Sequence, residues 1–266
     1  MNAISNLKSD SNRLKSYFWG ILVTWTFIVA GLFVLGSAQI RDIQRELAIN
    51  AARASFNKDQ ALRLWATKHG GVYVPVSERT PANPFLSHIE ERDIKTPGGK
   101  SLTLMNPAYM LRQTMEEYAK SYGIRGHITS LQYFRPETAP DEWEKYALRE
   151  FEQGKQEVSE FTTIDDKPYF RLMSAMITEK GCLKCHGHQG YKVGDVRGGV
   201  SVSIPMAPYL ANQQKQITTY GASFGALWIL GLAVISLGTR VLRHRIKERD
   251  RAEIDLQKAN DELTWR

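Results

Sequence analysis

Both cysteines of the 266-residue chain fall in one short stretch, EKGCLKCHGHQG at residues 179–190. Cys182, Cys185 and His186 form the pattern C-x-x-C-H. Two thiols three residues apart on one helical turn can add to the two vinyl groups of a porphyrin. The adjoining imidazole then lies under the ring and can offer a nitrogen to the iron. The pattern points to one covalently attached c-type heme, with Cys182 and Cys185 as thioethers and His186 as the proximal ligand. Gly181 and Gly187 flank the motif and leave room for the macrocycle.

Three other uses of the same residues compete. A structural zinc site needs four ligands, and here only Cys182, Cys185, His186 and His188 are near, with the histidines crowded against the cysteines. A thioredoxin-like pair wants a strand before it and a helix after, in apolar and aromatic surroundings that this stretch lacks. A disulfide between cysteines three apart is the third.

The sixth position on the iron is less determined. No third cysteine exists, so a thiolate is excluded. Met105, Met110, Met115, His69, His88 and His127 are the candidate donors. A lone helical Met usually fills a core, and a lone His usually sits at the surface. Met110 and His127 come from segments expected in the core, so Met110 leads, His127 is the alternative, and an open or water-filled position is the third option. His188 is too close to His186 to reach the opposite face. For the propionates, Arg112, Arg125, Arg171 and Arg197 can supply charge-assisted bonds, Arg112 and Arg197 foremost.

The elements that must carry this chemistry are bounded by two apolar runs. Residues 17–40 and 216–239 are each 24 residues without a charge in a chain whose mean hydropathy is −0.35. A bilayer core takes roughly 20 apolar helical residues, so both runs read as membrane spans rather than as core helices. The first run exceeds the apolar region of a cleaved signal peptide, although its small residues near Ser37 resemble a cleavage site. Lys8, Arg13 and Lys15 precede the first span, and six basic residues from Arg240 to Arg251 follow the second. Both ends therefore read as cytoplasmic, with residues 41–215 outside, in the periplasm of a bacterial inner membrane. These flanks largely explain the net charge of +7, and no basic stripe with interleaved aromatics suggests a nucleic-acid partner.

The outer segment is long enough for one domain. Residues 41–69 lack Pro and Gly and should continue the first helix outward until Gly70-Gly71 ends it. The stretches VYVPVSERTPANPF and KTPGGK read as loops. Asn106, Pro107 and Gly123 bracket a helix whose one face carries Met110, Thr114 or Met115, and Tyr118. IRGHITSLQYF reads as a strand, and a charged helix starts near Asp141. Two strands follow around an Asp165-Asp166 turn, and GGVSVSIPM should be the last strand. Helices with three or four antiparallel strands between them make an α+β domain.

The segments LTLMNPAYMLRQ, RPETAPDEWE, CLKCH and GGVSVSIP, in this order, resemble the periplasmic c-type-heme PAS-like sensor domain of bacterial membrane-bound histidine kinases, diguanylate cyclases and related receptors. The resemblance spans residues 45–206. It implies a PAS-like antiparallel sheet behind a long N-terminal helix, with heme held by Cys182, Cys185 and His186. Some relatives take a distal Cys from that helix; AINAARASF here has none, so that ligation does not carry over.

After the second span, residues 240–266 form a short charged helix. Numbered as a heptad from Leu242, its core positions end in Ala252, Leu256, Ala259, Leu263 and Arg266, a coiled coil that suits a homodimer. A charged juxtamembrane helix is the plainer reading. No kinase, cyclase or other enzyme motif follows, so output is expected from a partner protein or from a domain beyond this sequence. The organisation is thus a cytoplasmic N-terminus (1–16), a span (17–40), a periplasmic domain (41–215), a span (216–239) and a signalling helix (240–266). The expected function is a transmembrane sensor of redox state or a small gas. The alternative is a membrane-anchored cytochrome exchanging electrons with a donor or acceptor.

Overall fold

The computed structural model describes residues 2–264, with side chains described for residues 13–260 apart from Lys184, Cys185, His188 and Gln257. Five α-helices and seven strands are present among them: α1 (Asn2–Lys68), β1 (Val72–Pro75), β2 (Asp93–Lys95), β3 (Ser101–Met105), α2 (Pro107–Tyr122), β4 (Arg125–Thr129), α3 (Glu142–Glu152), β5 (Glu157–Ile164), β6 (Lys167–Ile177), α4 (Leu183–His186), β7 (Val196–Pro205) and α5 (Ala207–Thr264). The mixture of helix with two antiparallel sheets is α+β, as expected. The chain divides into two units, one of residues 1–43 with 212–266 and one of residues 44–211.

In the second unit, β5-β6-β7-β4 form the larger sheet and β1-β3-β2 a smaller one. The smaller sheet corrects the loop reading of VYVP and bears out the turn expected in KTPGGK. Val72–Pro75 is a strand paired along β3, and Thr96–Lys100 is the turn that joins β2 to β3. Its strands are short, so the pattern signal is weak, and pairing with β3 decides the matter. β4 also stops at Thr129, earlier than expected. Side-chain bonds take over there: Thr129 donates to the Thr138 carbonyl, and Ser130 accepts from Arg197.

Local chemistry explains the remaining boundaries. The Asn106 side chain accepts from the Tyr109 amide, Pro107 occupies the first turn, and Gly123 closes α2 at φ 71°. Asp141 and Glu144 complete a capping box at the start of α3. Asp165 and Asp166 take φ of 50° and 58°, the left-handed pair that a two-residue hairpin requires.

Strand alternation assigns the two faces of the larger sheet. Phe170, Leu172, Val202 and Ile204 pack under Ala48 and Ala52 of α1, and Met176 and Val200 under Leu111 and Met115 of α2. On the other face Met173 meets Ala147, Leu148 and Phe151 of α3. The alanines at 48 and 52 let α1 lie close to the sheet.

In the first unit, α1 and α5 each contain a stretch long and apolar enough to cross a membrane. Here glycines face aromatic rings: a Cβ on Gly36 would lie 2.3 Å from the Tyr220 hydroxyl, and one on Gly231 would lie 2.2 Å from the Trp25 ring. The Trp25 indole donates to the Trp228 carbonyl (3.3 Å), and the Trp228 indole to Thr26 Oγ1 (3.1 Å).

Candidate functional site

A cavity of about 300 Å³ opens on the α1/α2 face of the larger sheet, and Cys182 and His186 are both on its wall. Apolar surface comes from Leu86, Leu104, Ile128 and Met176. Polar surface is dominated by four arginines, Arg63, Arg112, Arg135 and Arg197. No Asp, Glu or Lys is on that wall among the described residues.

Each arginine is placed by a different element. Arg63 belongs to a buried stripe of α1 that recurs every three or four residues through Ala48, Ala52, Ser55, Asp59 and Ala66. It is 9% exposed, and its Nε donates to Gln60 Oε1 at 2.8 Å. Arg112 lies one turn into α2, its guanidinium 4.8 Å from the Tyr109 ring centroid. Arg135 donates to Asn83 Oδ1 (2.8 Å) and stacks toward Phe85 and the same Tyr109. Arg197 is the extra residue of a β-bulge, because Met176 pairs with Gly198 but Ile177 pairs with Val196. The bulge changes the strand's parity. Val196 turns toward the α3 face, and Arg197 turns into the cavity.

Arg197 donates to Ser130 Oγ at 2.8 Å and lies over the Tyr191 ring at 4.9 Å. Burial lowers the pKa of Arg112 and of Arg197, and the neighbouring charge of Arg135 lowers Arg112 further. Arg112 and Arg135, held beside Tyr109 with no described carboxylate on the wall, make a site for anionic groups.

His186 Nδ1 lies 3.1 Å from Gln189 Oε1 and 3.3 Å from Arg197 Nε. These contacts select opposite tautomers. Donation from Nδ1 to Gln189 leaves Nε2 with a lone pair for a metal, the arrangement common around ligating histidines. The thiol of Cys182 is free and accepts from the Glu179 amide at 3.4 Å. The side chains of Cys185 and His188 lie outside the described residues. Gly181 is pressed against α1: a Cβ there would lie 2.7 Å from Thr67 Cγ2.

Of the residues singled out in the sequence, Cys182, His186, Arg112 and Arg197 meet at this cavity. Met110 does not line it, being carried off the wall by its position on α2 between Tyr109 and Leu111, so the structure does not bring it to His186. His127 is on the other side of the sheet. Ile128 faces the cavity, so His127 faces α3, where Nδ1 bonds Glu144. Among the other proposed donors, His69 bonds the Trp65 carbonyl, Met105 and Met115 are buried off the cavity, and His88 is exposed. Arg125 and Arg171 are paired with Asp165 and Asp141, away from the wall.

Arg63, Arg135 and Tyr109 were missed. The spacing of small residues from Ala48 to Ala66 signals the buried face on which Arg63 lies; no local pattern marks Arg135. The residues present fit the heme expected from the motif, since a flat apolar ring bearing two carboxylates matches apolar walls, guanidiniums, a free thiol and an imidazole.

The Tll0287-like family matches residues 41–205. A solved structure described as the cyanobacterial heme-protein Tll0287 aligns over 59% of this chain and 94% of its own, at 16% identity and a TM-score of 0.40. No curated protein matches the chain. With well over half of its residues matched, the chain belongs to the Tll0287-like family.

Proposed function

We propose that this protein is a membrane-anchored sensor that carries one covalent heme c in the cavity of its outer, periplasmic domain. The observation that carries the reading is the meeting of Cys182 and His186 on one cavity wall with four arginines and, among the described residues, no acidic side chain. The Tll0287 protein for which the family is named is itself described as a heme protein.

In this reading Cys182 and Cys185 form the thioethers. His186 offers Nε2 to the iron while Gln189 holds Nδ1–H and fixes the ring. Arg112, with Arg135 beside it, takes the propionates, and Arg197 holds the proximal wall together through Ser130 and Tyr191. When bound, the heme supplies a one-electron couple and an iron that can exchange a ligand.

Signalling is favoured over simple electron transfer by the chain's continuity. The bulged residue Arg197 touches the cavity, β7 runs on to Pro205, and α5 begins at Ala207 and contains the second apolar stretch. A change at the cavity that favours one arrangement of β7 would thereby bias the helix that follows it. The tail of α5 is solvated, with His244–Glu248 and Arg249–Glu253 pairs along it. Leu242 and Leu256 are exposed and available to a second copy in a homodimer. A cytoplasmic output partner receives the signal.

Expression with the heme-maturation machinery, followed by a pyridine-hemochrome spectrum and intact mass, tests the reading. Covalent heme that is lost when Cys182 and Cys185 are replaced by Ala is expected; wild-type protein without heme would refute it. A ferrous spectrum that carbon monoxide leaves unchanged would restrict the protein to redox sensing or electron transfer.

A further inference from the structure

We infer that the same cavity binds a small inorganic anion in addition to the carboxylates of its heme, with Arg63 as the residue that holds it. The inference rests on the heme reading and deepens it by naming the class of ligand.

The cavity has more positive charge than a heme can neutralise. Four guanidiniums are on its wall, and no described acidic side chain joins them. A heme brings two propionates, while its ferric iron carries one charge more than the porphyrin dianion cancels. Arg112 and Arg135 share Tyr109 and sit close enough for one to depress the other's pKa, so they form the natural pair for two carboxylates. Arg197 is occupied by Ser130 and the Tyr191 ring.

Arg63 remains on a separate wall. It is nearly buried, and among the described residues its Nε donates to the neutral amide of Gln60 and no carboxylate pairs with it. The acidic residue one turn earlier, Asp59, is paired with Lys58 instead. Glu116 and Glu137, whose fields reach Arg112, are not on the wall. A buried guanidinium without a counter-charge is costly, and its planar fork favours an anion that accepts charge-assisted bonds over a neutral diatomic. Thr67, one turn on, packs on Gly181 beside Cys182, so this part of α1 lies against the heme-attachment segment.

The test uses ferric holo-protein and sodium azide as the probe, followed by visible absorbance. Saturable perturbation of the spectrum is expected in the wild type. Arg63→Gln should weaken azide affinity by at least about tenfold, and Arg63→Lys by less, with the affinity of each variant measured on its folded, heme-loaded fraction. Equal affinity in wild type and Arg63→Gln, or no azide binding by heme-loaded wild type, overturns the inference. So does a loss of affinity that merely tracks lost heme or lost folding. Wild-type protein lacking covalent heme refutes the underlying reading instead.

Discussion

His127 and Glu144 meet on the α3 face of the larger sheet, with Nδ1 of His127 2.9 and 3.0 Å from the two carboxylate oxygens. Glu144 is 2% exposed and also accepts from Ser201 Oγ (2.6 Å) and from the Asp141 amide, with Arg171 3.5 Å away. Burial disfavours the charge on His127, but the bond to Glu144 and its negative charge outweigh burial and raise its pKa above 6.5. Burial likewise opposes ionisation of Glu144, and His127 and Ser201 outweigh it and lower its pKa below 4.5.

The pH dependence follows from these directions. A raised histidine pKa contributes stability that is complete below about pH 6.5 and lost as pH rises through the folded-state value. A lowered glutamate pKa contributes stability lost as pH falls through its own. The melting midpoint of the unit formed by residues 44–211 should therefore fall on going from about pH 6 to about pH 9, and His127→Gln should flatten that slope. An unchanged slope in His127→Gln would assign the effect elsewhere.

Gly181 tests the seating of the cysteine segment on α1. Gly181→Ala places its Cβ 2.7 Å from Thr67 Cγ2, a stiff β-branched methyl, and should cost about 1–3 kcal/mol in chemical denaturation. Thr67→Ser removes that methyl while keeping the hydroxyl bond to the Arg63 carbonyl, and should recover most of the loss in the double variant. Additive effects of the two changes would show that the contact is not the cause.

Gly198 allows no such rescue. A Cβ there would lie 2.3 Å from the backbone oxygen of Thr129 and 2.9 Å from Ser130 Cβ. Gly198→Ala should part β4 from β7 at this point, lowering stability by more than about 3 kcal/mol and increasing amide exchange at residues 127–129. Wild-type exchange in a folded Gly198→Ala protein would contradict the packing.

In the unit with the two long apolar stretches, Gly231→Ala should displace the Trp25 ring and break its indole bond to the Trp228 carbonyl. The detergent-solubilised chain should then lose helical signal at a lower concentration of denaturing detergent than the wild type. An equal midpoint would mean that the two helices do not pack through this contact.

Features governed by near neighbours were legible in the sequence. Asn106, Pro107 and Gly123 bound α2 through their own backbone preferences, Asp165-Asp166 makes its own turn, and C-x-x-C-H is a pattern of adjacent residues. What depended on distant partners was not. The three-stranded sheet exists because β3 pairs with two short segments that carry little pattern of their own. Arg135 reaches the cavity because Asn83, 52 residues away, accepts its hydrogen bond. His127 was a candidate donor because a strand residue was expected in the core, but one residue of parity decides which core. With Ile128 against Met176 and Val200, His127 belongs with α3.

The bulge at Arg197 makes β7 a strand read in two frames. From Val200 to Ile204 the even-numbered residues face α1 and α2, whereas before the bulge the even-numbered Val196 faces α3. Deleting Arg197 would leave Gly198 opposite Met176 and Val196 opposite Ile177, so the two frames would merge into one and the cavity would lose its guanidinium. Length in this strand is therefore constrained as tightly as residue type, and homologues that keep the cavity's cation here should also keep the extra residue that turns it inward.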